Sequence, residues 1–383
     1  MSETIKKLTI EGFKSIRKLE NFELRPLNIL IGANGAGKSN FVGFFRLLRE
    51  LVEQRLQLAV QTMEGGADRC LYMGPKITRR FTAKLYFGQN GYQFALDPTP
   101  DNRLVFAEET TAPVGDWHWD GDIDHFLGFG YAESILKGIK DISRSEAPRY
   151  VYEGISSWTV YHFHDTSLTA GVRRQRPIND NEALRPDAEN LAAFLYRIRQ
   201  TSPGSYSRIR DVVGLAAPFF DDFKLRPVPG TPDLIELEWL QKDSDYPFRA
   251  HQLSDGTLRF ICLATALLQP VRPPTMLFDE PELGLHPYAL TLLGNLITRA
   301  AEEGTQLIVS TQSAPLLNEF VPEDVIVVER HQGESVFRRL DSSDLSEWLR
   351  EYTLGALWQK NVLGGGPAPE NTPQFVPNGD QRS

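Results

Sequence analysis

Residues 32–39 read Gly32-Ala33-Asn34-Gly35-Ala36-Gly37-Lys38-Ser39. Glycines at the first and sixth positions, followed by lysine and a hydroxyl residue, make a loop whose backbone N–H groups close around phosphate oxygens. The flanks fit that use. Leu27-Asn28-Ile29-Leu30-Ile31 is short and apolar, as a buried strand should be. Phe41 to Leu48 reads as a helix, and a helix start adds partial positive charge. The contact set read from this stretch is Gly32 to Ser39 with Asn40. Lys38 is expected to reach the β- and γ-phosphates and Ser39 to ligate Mg²⁺. A strand, a phosphate loop and a helix in this order demand an α/β core.

A chain of 383 residues has room for one large domain or two ordinary ones. Hydrophobic residues at 41% and charged residues at 24% are globular values. The net charge of −9 will not attract nucleic acid, so a DNA contact needs a local basic patch. Cys70 and Cys262 lie far apart among apolar residues and read as buried free thiols of a reducing compartment. Met1 to Lys7 lack an apolar signal core, and no apolar run has membrane-spanning length. A cytoplasmic protein with no membrane contact is expected.

Along the chain, Leu8 to Glu11 alternates as a half-buried strand, and a second strand lies near Asn21–Leu24. The helix after the phosphate loop is expected to run through Glu50 towards Gln61, with Gly65-Gly66 stopping it. Residues 78–108 are strand-rich, with Asn90-Gly91 as the hairpin signal. Residues 112–124, with Trp117 and Trp119, read as a loop, and Phe126–Ile142 as a helix weakened by glycines. Trp158 to Phe163 reads as a buried strand, 187–200 as an amphipathic helix and Ile235 to Trp239 as a strand. Arg173-Arg174-Gln175-Arg176 is a basic run, either a solvated loop or a phosphate contact.

Thr275-Met276-Leu277-Phe278-Asp279-Glu280 is an apolar strand ending in two acids. Beside a phosphate loop, Asp279 is placed to hold Mg²⁺ through water and Glu280 to polarise the attacking water. Leu253-Ser254-Asp255-Gly256-Thr257 opens the apolar helix 258–268. It reads either as an ordinary N-cap or as a second anion site. One phosphate chain does not need two such loops from one subunit, so the second reading assigns this loop to a neighbour's nucleotide. Pro287 suits the first turn of a helix over 288–303, and the strand Gln306 to Thr311 delivers Gln312 and Ser313 at its C-terminal end.

In this order the pieces resemble an ATP-binding-cassette ATPase of the non-transporter branch. That branch holds the RecF-like, structural-maintenance-of-chromosomes and overcoming-lysogenization-defect proteins, and the chain is most similar to bacterial single-chain "AAA family" ATPases. Gly12-Phe13-Lys14-Ser15, His164-Asp165-Thr166-Ser167, Leu184-Arg185-Pro186-Asp187 and Trp348-Leu349-Arg350-Glu351-Tyr352 belong to the likeness. It implies an α/β cassette core with an N-terminal antiparallel β region and a large α+β insertion between phosphate loop and signature. The divisions are 1–64, inserted region 65–240, core 241–363 and a disordered tail 364–383. It also implies ATP and Mg²⁺ as cofactors. Ser254, Asp255 and Gly256 would meet the γ-phosphate across a homodimer, Asp279 and Ser39 would hold the metal, and Glu280 and Lys38 would be catalytic. Gln312 stands where the family usually has a histidine switch; an amide donates a hydrogen bond but carries no charge. The glutamine loop has no clear counterpart, Gln175 and 163–165 being the candidates. The implied function is an ATP-driven switch acting on a separate effector, in phage defence or DNA maintenance. The alternatives are a DNA-binding clamp, using 173–176 with Arg79-Arg80, and the nucleotide-binding subunit of a transporter.

Overall fold

The computed structural model describes residues 4–113, 126–141 and 146–366. The expectations for Trp117, Trp119 and residues 367–383 lie outside these. β1 (Ile5–Phe13) and β2 (Ile16–Glu23) form a hairpin turned at Lys14-Ser15, and the short apolar β3 (Leu27–Ile31) enters a second sheet. The meander β4 (Phe81–Phe87), β5 (Asn90–Pro98), β6 (Leu104–Pro113) and β7 (Phe126–Gly128) extends the first sheet. Its strand order is β2-β1-β4-β5-β6-β7, with antiparallel neighbours throughout.

β8 (Thr159–Tyr161) returns to the second sheet. Two small antiparallel sheets follow. One joins β9 (Arg176–Pro177), β11 (Pro227–Val228) and β12 (Thr231–Ile235); the other joins β10 (Phe220–Phe223), β13 (Glu238–Gln241) and β14 (Pro247–Arg249). β15 (Thr275–Asp279), β16 (Gln306–Thr311), β17 (Val325–His331) and β18 (Glu334–Arg339) complete the second sheet in the order β18-β17-β3-β16-β15-β8. It is parallel except for the β17–β18 hairpin. β3 and β16 are buried at every position, as expected of strands covered on both faces.

Alternate residues of these strands feed two cores. Leu30, Leu277 and Ile308 face the helix Lys38–Val52, which lies between the two sheets with Ile10, Phe81 and Phe94. Ile29, Ile31, Phe278 and Val309 face the helices Leu191–Thr201, Pro203–Ala216, Asp255–Leu268 and Pro287–Glu302. The stretch 65–240 therefore contributes to both sheets and to the helical layer. Among the described residues no helix is long and apolar enough to cross a membrane.

Four local expectations shift. The first helix ends at Val52, because Gln54 turns left-handed (φ 61), and helical turns resume at Leu56 before Gly65 stops them. The hairpin turn falls on Gly88-Gln89, two residues before Asn90-Gly91, since Phe87 pairs with Asn90 and Gly88 supplies the positive φ. The segment 126–141 holds β7 and one helical turn, Leu136–Ile139, instead of a long helix. The buried Glu109 carboxylate pins it by accepting from Tyr131 Oη (2.9 Å) and Ser134 Oγ (2.5 Å). Finally, 235–239 breaks into β12 and β13 at Glu236-Leu237.

Candidate nucleotide-binding site

The phosphate loop connects β3 to the helix Lys38–Val52. Gly37 precedes that helix at φ 114, and a Cβ there would stand 2.0 Å from Ser335 Oγ and 2.8 Å from Ser15 Oγ. Only glycine fits this corner. Ser335 Oγ donates to the Ala36 carbonyl (2.6 Å) and stands 2.7 Å from Ser15 Oγ, while Asn40 Nδ2 donates to Ser15 Oγ at 2.6 Å. Arg330 donates to the Gly35 carbonyl at 3.2 Å. The β1–β2 turn and the β17–β18 hairpin thus brace the loop from the outside. No side chain caps the helix start, so its first N–H groups remain available to an anion.

Lys38 is buried, and its Nζ donates to the carbonyls of Gly32 (2.7 Å) and Ala33 (3.2 Å). Burial lowers its pKa, and the carboxylates of Glu280, Asp279 and Glu282 pull it back up. Those acids come from β15 and its turn. Register explains the meeting: Asp279 lies level with Ser310 of β16, and Ser310 with Leu30 of β3, one residue from the strand end that delivers Gly32. Ser310 Oγ donates to Asp279 Oδ1, and the Gln312 amide donates to Glu280 Oε1. Glu280 adopts a left-handed backbone, φ 45.

Asp279 and Glu280 line one cleft with His164 and Arg259. His164 lies in the 163–165 candidate segment, which follows β8 to the edge next to Asp279, whereas Gln175 is exposed elsewhere on the connection. Arg259 ties the 163–164 segment to the turn that follows β15. Its Nε donates to Phe163 O (2.9 Å), its Nη2 to His164 O (3.1 Å) and its Nη1 to Leu283 O. The charge of Arg259 inside the apolar helix Leu258–Leu268 is the sequence signal for this tie, since a buried guanidinium needs partners.

Ser254 caps the helix Asp255–Leu268 by accepting the Thr257 N–H at 3.1 Å. The N-cap half of the double reading is therefore realised, and Ser254 and Asp255 remain exposed. Gly256 has a second constraint that spacing does not reveal. A Cβ on it would stand 2.1 Å from the Gly284 carbonyl of the same chain. The basic run splits. The Arg173 side chain is only 4% exposed and bonds to Thr166 O (2.8 Å), the Ala250 and Leu253 carbonyls and Asp255 Oδ1 (2.7 Å). Arg176 pairs with Glu189, and Arg80 with Asp97. Arg173 and Arg176 are thereby held within the molecule, whereas Arg79, Arg80 and Arg174 stand exposed at the surface. Cys70 and Cys262 are buried free thiols whose pKa values burial pushes up to about 12.

A phosphate loop on the central strand of a largely parallel sheet, acids at the end of a nearby strand and an antiparallel layer over one face define a P-loop ATPase of the ATP-binding-cassette type. Residues 27–318 match the family described as "AAA domain, putative AbiEii toxin, Type IV TA system", and the chain belongs to that family. Two relatives named "Putative ABC transporter ATP-binding protein" are similar over shorter stretches. The one from Caldanaerobacter subterraneus subsp. tengcongensis is 27% identical over 97 residues, 25% of this chain and 38% of that protein. The one from Methanosarcina acetivorans is 29% identical over 100 residues, 26% of this chain and 35% of that protein. The chain thus spans little over a third of these relatives. Among solved structures, an Smc head bound to the C-winged helix domain of ScpA matches at TM-score 0.59 and 18% identity, over 90% of this chain and 99% of that one. An Smc head with an extended coiled coil, bound to the C-terminal domain of ScpA derived from Pyrococcus furiosus, gives 0.55 and 18%, over 91% and 99%. The fold is that of an Smc-like head.

Proposed function

We propose that this ATPase hydrolyses ATP at sites shared by two copies of the chain and uses the cycle to switch a separate effector. The observation that carries the hydrolytic reading is the convergence of Asp279, Glu280 and Glu282 on the Lys38 ammonium at the C-terminal edge of the sheet. Lys38 and the loop N–H groups hold the phosphates. Glu280 accepts a proton from water as the water oxygen bonds to the γ-phosphorus and the bond to the β-phosphate oxygen breaks, releasing ADP and phosphate. Asp279 and Ser39 offer the hard oxygen ligands that suit Mg²⁺, with phosphate and water completing its shell. The ion, when bound, would neutralise charge on the β- and γ-phosphates.

The sharing between copies is supported by Ser254 and Asp255. They are exposed at a helix start, and their partners are Thr257 and Arg173, neither in the phosphate loop. The Smc heads described with ScpA domains bound fit a head that works with a protein partner. A setting in phage defence or DNA maintenance is compatible with a family described as a putative toxin. The inward ties of Arg173 and Arg176 take two of the five candidate arginines away from the surface and favour the effector reading over the DNA clamp.

The test is Glu280→Gln. The amide keeps the size but accepts no proton, so turnover should fall about 10²-fold or more while ATP binding persists. Light scattering should then show an ATP-bound dimer that does not dissociate. Wild-type turnover in this variant would remove Glu280 from the role.

A further inference from the structure

Glu282 stands two residues past Glu280; above it adds its charge to the field around Lys38, but it takes no proton and holds no metal. Its Oε1 accepts the Gln312 backbone N–H at 2.7 Å. Its Oε2 is buried without a hydrogen-bond partner among the described residues. One oxygen therefore makes the grip on Gln312.

Gln312 is held at both ends. Glu282 holds its main chain, and its side-chain amide is spent on Glu280 Oε1. Glu280 is itself in a left-handed conformation that strains a residue with a Cβ. Such a conformation persists only where neighbours dictate it. Here they are the Glu280 N–H on Ser310 O (2.9 Å), the Leu283 N–H on Glu280 O (3.4 Å) and the Gln312 amide on the carboxylate. Without Glu282, the Gln312 N–H at the end of β16 has no acceptor and the residue is free to turn. Its amide then leaves Glu280, whose carboxylate regains its rotamers.

We propose that Glu282 is a positioning residue for ATP hydrolysis: by fixing Gln312 at the end of β16, it keeps the Gln312 amide on Glu280 and so aims the catalytic carboxylate. This rests on the ATPase reading above. It also gives the glutamine at the switch position a task that needs a hydrogen-bond donor and no charge.

The experiment measures ATP affinity with a fluorescent analogue and steady-state hydrolysis, on the full chain. Glu282→Ala should lower kcat about 10-fold, with nucleotide affinity within about twofold of wild type. Glu282→Gln, which still offers one carbonyl oxygen to the Gln312 N–H, should return to within about threefold of wild type. Gln312→Ala should lose a similar factor, and adding Glu282→Ala to it should cost nothing more, because the route from 282 to 280 is already cut. Multiplying losses in the double variant, or wild-type kcat in Glu282→Ala, would overturn the proposal. So would a loss of nucleotide affinity in Glu282→Ala, which marks a role in folding the site. A wild-type chain that binds ATP without hydrolysing it would instead strike the ATPase reading itself.

Discussion

Lys38 shows how burial and charge are balanced in a single side chain. Its stem is covered, and its ammonium spans two loop carbonyls within the field of three acids. Replacing it with alanine would empty the space of the stem as well as remove the ammonium. Lys38→Met keeps the buried stem, and loses the charge together with the bonds to the Gly32 and Ala33 carbonyls. The lost charge-assisted bond is worth about 1.5–3 kcal/mol, so nucleotide affinity should fall roughly 10- to 100-fold, with the thermal midpoint lowered by a few degrees while the fold is kept. Isothermal titration beside a melting curve reads both. Affinity equal to wild type would mean that phosphate does not sit on this loop.

At the scale of elements, the signature helix is held by two arginines that come at it from opposite directions. Arg173 reaches in from the 163–176 connection to residues 250–255, and Arg259 reaches out from the helix to residues 163, 164 and 283. Arg173→Ala leaves the Leu253 carbonyl and the Asp255 carboxylate unheld, while the phosphate loop keeps all its braces. Hydrolysis should fall about 10-fold or more and stability by about 1–3 kcal/mol, with nucleotide binding to the isolated chain retained. Chemical denaturation and a binding titration separate the two effects. Loss of binding alongside hydrolysis would refute the division of labour. None of this was legible in the sequence, where Arg173 opens a basic run that reads either as a solvated loop or as a phosphate contact. What was legible rests on short-range rules: the phosphate loop, the apolar strands β3, β15 and β16, and helix starts at Ser254 and Pro287. The rest depends on partners far along the chain. Gly256, which the resemblance reads as a phosphate contact, is also closed in by the Gly284 carbonyl, and the Asn90-Gly91 signal yields to Gly88 because pairing with β4 sets the register.

The whole molecule combines a loop proposed to hold phosphate with an exposed helix start at Ser254 whose partners lie outside that loop, and mixing variants tests whether the second serves a neighbour. Ser254→Arg places a bulky cation where the neighbour's phosphate is expected, and should block ATP-driven dimerisation without lowering affinity at Lys38. Lys38→Met alone should also be inactive. Mixed, the two proteins form a dimer with one site built from Lys38 and Ser254 of different copies and one site bearing both lesions. Activity should reappear in the mixture, because only the mixed dimer keeps an intact composite site. A mixture that stays inactive would show that both sites must fire together or that Ser254 serves its own copy.

The placement of β3 has a consequence in time. It lies between β16 and β17, both supplied from the far end of the chain. Roughly 275 residues separate the end of β3 from the start of β16, which at a synthesis rate of about 5–20 residues per second is an interval of about 14–55 s. Throughout it, a nascent chain displays Leu27–Ile31 with no native neighbour to pair with, although the antiparallel meander can already close around the helix Lys38–Val52. The nucleotide site is thus among the last features completed on the ribosome, and a chain stalled before β16 presents a sticky strand in place of an ATP-binding head.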